Sequence, residues 1–221
     1  MTTNAYNIAV IAGDGIGKEV MPEAIKVLEA VGRKYELSFK FDEKDWSCER
    51  FQKTGLMMPE DGLVSIREHD AILLGAVGFP GVPDHTSLWG LLIPIRRDFQ
   101  QYVALRPVRL FEGMPCPLVG REPGEIDFFI VRENNEGEYS EIGGRMYKGT
   151  DNEAAIQQSI FTRIGTDRIM RYAFELAINR EQKHVTSATK SNGIIHSMPY
   201  CDERFEEIPK EYPSIVTDKF H

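Results

Sequence analysis

Asn7-Ile8-Ala9-Val10-Ile11-Ala12-Gly13-Asp14-Gly15-Ile16-Gly17 decides how the chain begins to fold. Asn7 to Ala12 reads as a short buried strand, and the glycines at 13, 15 and 17 read as a tight turn. A helix follows, with Val20, Ala24, Val27, Leu28 and Val31 expected on its apolar stripe at the 3.6-residue period. Pro22 is expected near the helix start, where a missing N–H matters little. Leu37, Phe39 and Phe41 alternate as a second strand. Short helices are expected from Cys48 to Lys53, ending at Gly55, and from Pro59 to about Glu68. Asp70 to Val77 is almost wholly apolar, the pattern of a parallel strand covered on both faces. Strand and helix thus alternate as in an α/β layer structure.

After residue 98 the pattern changes. Tyr102 to Pro107 and Glu125 to Arg132 read as extended, separated by a Gly- and Pro-rich loop from Glu112 to Gly124. Gly137 to Lys148 is expected as a hairpin or projecting arm. Ile169, Met170, Ala173, Phe174 and Ala177 mark an amphipathic helix, followed by a strand at His184 to Thr189. A helix is expected over Pro199 to Lys210 and a strand over Ser214 to Thr217. The expected division is therefore 1–98 and 99–221, with the arm near 137–150. The first part offers only three strands, and the chain ends just past its last strand; both hint at an incomplete protein.

Of the 221 residues, 26 are Lys or Arg and 34 are Asp or Glu, a formal charge of -8. That balance argues against a bulk nucleic-acid binder but leaves room for a local anion pocket. No apolar stretch has the length of a membrane span, and no secretory signal pattern is present. Cys48, Cys116 and Cys201 are few, distant and odd in number, which argues for free thiols in a cytoplasmic protein.

The glycine turn lies between a strand and a helix, where backbone N–H groups can meet a phosphate. Its third glycine comes one position too early for the dinucleotide fingerprint. A plain turn and a phosphate-binding turn both stay open, and Asp14 either orients a ligand or caps the helix. Arg96, Arg106 and Arg132 each fall at the end of an expected element, Arg106 just before Pro107. They are either carboxylate-binding forks or solvated, salt-bridged side chains. Tyr139 and Lys190 are candidate proton-transfer groups. Lys190 closes an expected strand, where α/β sites gather. No histidine has metal-ligand spacing.

Taken together and in order, several motifs carry a resemblance. They are Gly13-Asp14-Gly15-Ile16-Gly17, Leu91-Leu92 with Arg96, Leu105-Arg106-Pro107, Val131-Arg132-Glu133-Asn134, Gly137-Glu138-Tyr139-Ser140 and Thr189-Lys190-Ser191-Asn192. Over its whole length the chain resembles the N-terminal portion of the isocitrate/isopropylmalate dehydrogenase family. Gly137 to Arg145 and Thr86-Ser87-Leu88-Trp89-Gly90 resemble its tartrate/D-malate branch.

The resemblance implies an isopropylmalate dehydrogenase-like two-domain α/β fold, not a Rossmann fold, truncated at its C-terminus. The parts would be the front half of a cofactor-side domain and an incomplete substrate and dimerisation domain. It implies NAD-dependent oxidation of a malate-like 2-hydroxy acid, D-malate or tartrate, with or without β-decarboxylation, and Mg or Mn as the metal. Arg96, Arg106 and Arg132 would hold substrate carboxylates. Tyr139 would help protonate the enol, and Lys190 would serve the 2-hydroxyl in the partner subunit's site of a homodimer. Gly13, Asp14, Gly75 and Leu88 would lie near NAD. The metal-binding aspartates are expected beyond His221, so the chain alone is expected to be weak or inactive. The alternatives are a non-catalytic fragment or dimer-forming remnant, or a 3-isopropylmalate dehydrogenase. NAD against NADP stays open.

Overall fold

The computed structural model describes residues 5–221. The chain separates into two compact units, one ending at Gln100 and the other running from Gln101 to His221. The architecture is α/β, with both parallel and antiparallel sheets.

The first unit is built on a three-stranded parallel sheet in the order β2-β1-β3. Its strands are β1 (Ala5–Gly13), β2 (Ser38–Lys44) and β3 (Ala71–Ala76). Successive side chains of β1 point to opposite faces, and both faces are covered. Ile8 and Val10 pack with Met21 of α1 (Ile16–Tyr35). Ala9 and Ile11 pack on the other side with Trp46, Cys48, Met57, Ile66, Leu91 and Ile95. The second group comes from α2 (Cys48–Thr54), α3 (Gly62–Ser65), α5 (Ile93–Asp98) and the segments joining them. α4 (Asp84–Ser87) and a π-helical turn at Leu88–Leu92 lead into α5.

Three expectations for this unit are corrected. The covered stripe of α1 runs through Gly17, Met21 and Gly32, whereas Val20 and Val27 are 47% and 62% exposed. Glycine sets this rotation. An added Cβ at Gly17 would strike the Ala12 carbonyl oxygen, and one at Gly32 would press on Leu37 and Phe39, so these positions face the sheet. Pro22 lies inside α1, in its second turn rather than at its start, and removes one intrahelical donor. Among the described residues β3 is an edge strand paired with β1; Ile72 and Leu73 pack on its two faces, but Leu74 is 40% exposed, so its cover is partial.

The second unit begins with an antiparallel ribbon of β4 (Val103–Arg109) and β5 (Asp127–Glu133). Arg106 therefore lies in the middle of β4, opposite Ile130, and not at a strand end. Pro107 does not break the strand, because β4 has a partner on one side only. A second ribbon pairs β6 (Gly137–Met146) with β7 (Ala154–Ile160), so the stretch from Gly137 to Lys148 expected as a hairpin or arm supplies only its first strand. β8 (His184–Ala188) and β9 (Val216–Phe220) run parallel, joined through α7 (Ser197–Glu207) and a 3-10 turn at Ile208–Glu211. The long helix α6 (Arg163–Ile178) gives the unit its core: Phe174, fully buried, packs with Ala177, Phe205, Ile208 and Ile215. Its ring stacks on Tyr212 at 5.1 Å.

Candidate functional site

Register places two of the expected arginines together. β4 and β5 pair Ala104 with Arg132 and Arg106 with Ile130, so Arg106 and Arg132 are diagonal neighbours on one face of the ribbon. The other face is the packed one. There Arg168 of α6 holds Glu133 at 3.0 Å and Arg180 holds Asp127 at 2.8 Å, with Arg180 also over the ring of Phe129. The arginine face stays exposed, with Phe128 and Ile130 beside the two guanidinium groups.

Past β5 the chain turns through Asn134, which is 5% exposed. Its N–H donates to the Tyr102 carbonyl at 2.9 Å and its side-chain amide to the Gln101 carbonyl at 3.0 Å. That leaves Oδ1 to accept from Arg132 at 3.4 Å. Asn134 thus steadies Arg132. The sequence reading gave it no role, although a polar residue two positions beyond a strand-end arginine was the available signal. Tyr139, near the start of β6, places its ring 5.8 Å from the Arg132 guanidinium carbon. Arg132 and Tyr139 line one side of a cleft of about 570 Å³ whose other walls include Phe161, Met170, Val185 and Thr189.

The root of the hairpin is tied to α6. The Glu136 carboxylate accepts from the Thr162 N–H at 2.9 Å and its hydroxyl at 2.6 Å, and Thr162 in turn accepts from Gly165 N–H as the helix cap. α6 and α7 are joined by Asp167, which accepts from Arg204 at 2.6 and 3.0 Å. Burial opposes the charge on Asp167, but Arg204, Arg171 and Arg163 hold its carboxyl below the usual range.

Lys190 lies two residues past β8 and is exposed. Its carbonyl accepts from Gly193 and Ile194, which makes the tight turn expected there. Lys190 does not line the cleft that Arg132 and Tyr139 share.

The remaining candidates belong to the first unit. Gly13, Asp14 and Gly75 gather at the carboxyl edge of the sheet, where Gly13 pairs with Ala76. An added Cβ at Gly13 would collide with the Ala76 carbonyl oxygen and one at Gly75 with that of Ala12. Asp14 is 2% exposed and does not cap α1, which has no side-chain cap; its carboxylate accepts from Cys48 at the start of α2. Burial opposes its ionisation, yet the backbone N–H groups of Cys48, Gly78 and Glu49 hold the carboxyl below its ordinary value. The same surroundings push the Cys48 thiol up to about 11, first through burial and then through Asp14. Leu88 opens the π-helical turn, half-buried, and Arg96 lies in the last turn of α5.

The fit to the implied groups differs. The places a ligand would need at Gly13 and Gly75 are filled by the chain's own backbone, whereas Gly15 and Gly78 have open space beside them. At this edge a dinucleotide would meet backbone, with open space beside Gly15 and Gly78. Among the described residues, no three His, Cys, Asp or Glu side chains are grouped to hold a metal ion, so these residues do not form a divalent-ion site. Among the same residues no helix is long and apolar enough to cross a membrane.

The family model described as isocitrate/isopropylmalate dehydrogenase matches residues 7–220. D-malate dehydrogenase (decarboxylating) of Escherichia coli strain K12 is 57% identical over 216 residues, covering 97% of this chain and 60% of that protein. Tartrate dehydrogenase/decarboxylase of Pseudomonas putida is 55% identical over 223 residues, covering 100% of this chain and 61% of that one. The crystal structure of isocitrate dehydrogenase from Methylococcus capsulatus superposes with a TM-score of 0.82 at 31% identity, over 97% of this chain and 60% of that one. The chain thus spans about 60% of the length of these relatives.

Proposed function

The chain belongs to the isocitrate/isopropylmalate dehydrogenase family, and from that premise we propose that it serves the NAD-dependent oxidation of a malate-like 2-hydroxy acid, D-malate or tartrate, with loss of carbon dioxide where the product allows it. The observation that carries this reading is the shared face of Arg106 and Arg132 with Tyr139 beside it. Two guanidinium groups on one face suit a dicarboxylate, because each fork takes a carboxylate through paired hydrogen bonds.

In this reading Arg106 and Arg132 hold carboxylate groups of the acid, and Arg96 of the first unit is a further candidate for holding a carboxylate. Asn134 keeps Arg132 oriented. The Tyr139 hydroxyl delivers a proton to the carbon that carbon dioxide leaves. Lys190 takes the proton of the 2-hydroxyl in the site of a second copy. Gly13, Asp14, Gly75 and Leu88 would shape the edge for NAD, which would supply the hydride acceptor for C2. Mg or Mn belongs to the same proposal, but the described residues supply no donor set for it.

A homodimer is part of the reading. A lone two-stranded ribbon is marginal in water. The β6–β7 hairpin shows Ile142, Met146 and Ile156 on one face, at 45%, 52% and 51% exposure, as a strand pair awaiting a second copy would. Three free thiols accord with a cytoplasmic setting.

The test is reduction of NAD, followed at 340 nm with Mn present, together with calorimetric binding of D-malate, tartrate and 3-isopropylmalate. D-malate or tartrate should lead in both. Preference for 3-isopropylmalate would favour the neighbouring branch of the family. A chain that neither binds nor oxidises any of the three contradicts the proposal.

A further inference from the structure

In a doubly wound sheet a ligand's phosphate lies beyond the carboxyl ends of the strands, where the chain crosses from one side of the first strand to the other. Here that crossing is at β1, with β2 on one side and β3 on the other. The crevice already contains an anion, the side chain of Asp14. Its carboxylate accepts from the N–H of Cys48 at 3.0 and 3.1 Å, of Glu49 at 3.4 Å and of Gly78 at 3.2 Å. Its own N–H donates to the Ala76 carbonyl at 2.7 Å. Cys48 and Glu49 open α2, and Gly78 lies just past β3, so one carboxylate joins two segments that are 29 or more positions apart in sequence.

We propose that Asp14 is a positioning residue: a built-in anion that fills the switch-point crevice and pins the start of α2 to the segment leaving β3.

Three further observations support this. The base of the turn is packed, since Cβ atoms at Gly13 or Gly17 would strike backbone of the neighbouring strands, while Gly15 at its tip faces open space. Asp14 is almost fully buried, and a buried carboxylate is tolerated only where several donors converge on it. The segment beginning at Gly78 runs through α4 to Leu88 and Arg96, and its far part is anchored by Leu91 and Ile95 in the core that holds Cys48. Asp14 fixes the near part of that segment. That Leu88 and Arg96 serve cofactor and substrate rests on the proposed function; the clamp itself does not.

The first readout needs no substitution. On lowering the pH, the amide resonances of Cys48, Glu49 and Gly78 should move through one shared titration, with a midpoint below that of an ordinary aspartate. The second uses Cys48 as a reporter of opening, because its thiol is buried beneath the clamp. In Asp14→Asn, alkylation of Cys48 by iodoacetamide, mapped by mass spectrometry, should accelerate about tenfold or more as local opening becomes easier. Cys201 should react at its wild-type rate. In Asp14→Ala, formate should slow the reaction again, while sodium chloride at equal ionic strength should not.

Separate titration of the three amides overturns the proposal. So does a folded Asp14→Asn chain whose Cys48 is as unreactive as before. If Asp14→Asn does not fold, the wild-type titration decides alone. None of these readouts uses a hydroxy acid, so failure here is distinct from failure of the proposed function.

Discussion

The guanidinium carbon of Arg132 lies 5.8 Å from the ring centre of Tyr139. At that distance the ring face attracts the cation, so one residue of the pair steadies the other while the hydroxyl stays a separate chemical handle. Tyr139→Phe keeps the ring and removes only the hydroxyl. It should leave D-malate affinity within about twofold and lower turnover by about 10²-fold or more, the usual scale for a lost proton-transfer group. Calorimetry and NADH formation on the same preparation separate the two effects. A matched loss of affinity and rate would make the hydroxyl a substrate-binding group instead.

Asp167 and Arg204 are 10% and 14% exposed and join α6 to α7 through two hydrogen bonds. Removing one partner of such a pair leaves a buried charge without compensation. Asp167→Ala should lower stability in urea unfolding. The pH dependence has a definite sign. Because the folded carboxyl is held below its ordinary value, its contribution is present above the unfolded pKa and is lost as pH falls through the folded one. The melting temperature of the wild type should drop over roughly pH 5 to 2, and that of Asp167→Ala should drop less. Equal slopes in the two proteins would remove Asp167 from the account.

Thr162→Ala removes the side-chain acceptor for Gly165 N–H and the hydroxyl held by Glu136. A lost helix cap costs about 1 kcal/mol, and Glu136 loses a partner as well. Unfolding should register at least that much, and amide exchange should quicken in the first turn of α6. Protection unchanged in that turn would mean that the cap contributes little.

Gly75→Ala asks for room that the sheet does not have, since the added methyl meets the Ala12 carbonyl. Backbone cannot move aside as a flexible side chain can, so a loss of about 2 kcal/mol or more is expected from urea melts. Near-wild-type stability would show that β1 and β3 are less closely packed than described.

Much of this was legible in the sequence, for local reasons. β1 and α6 follow from alternation, glycine placement and helical period, all written within a few neighbouring residues. What was not legible depends on distant partners. The rotation of α1 is set by Gly17 and Gly32 meeting backbone of other elements, so the valines at 20 and 27 gave a false stripe. Arg106 looked like a strand end because Pro107 follows it; only the one-sided pairing of β4 explains why the strand continues. Asp14 looked like a cap for the helix beside it, whereas its donors lie 34, 35 and 64 positions away. Of the candidate site, the Arg106–Arg132 face needed the register of two strands separated by the long loop after β4.

That face is the centre of the account, and titration of D-malate into the chain tests it most directly, with Arg106→Ala and Arg132→Ala measured beside the wild type. The account predicts one saturable site in the wild type and a loss of about tenfold or more in affinity for each variant, as expected when a charge-assisted carboxylate contact is removed, with both variants folded. Wild-type affinity retained in the two folded variants, or no binding in the wild type, would contradict it.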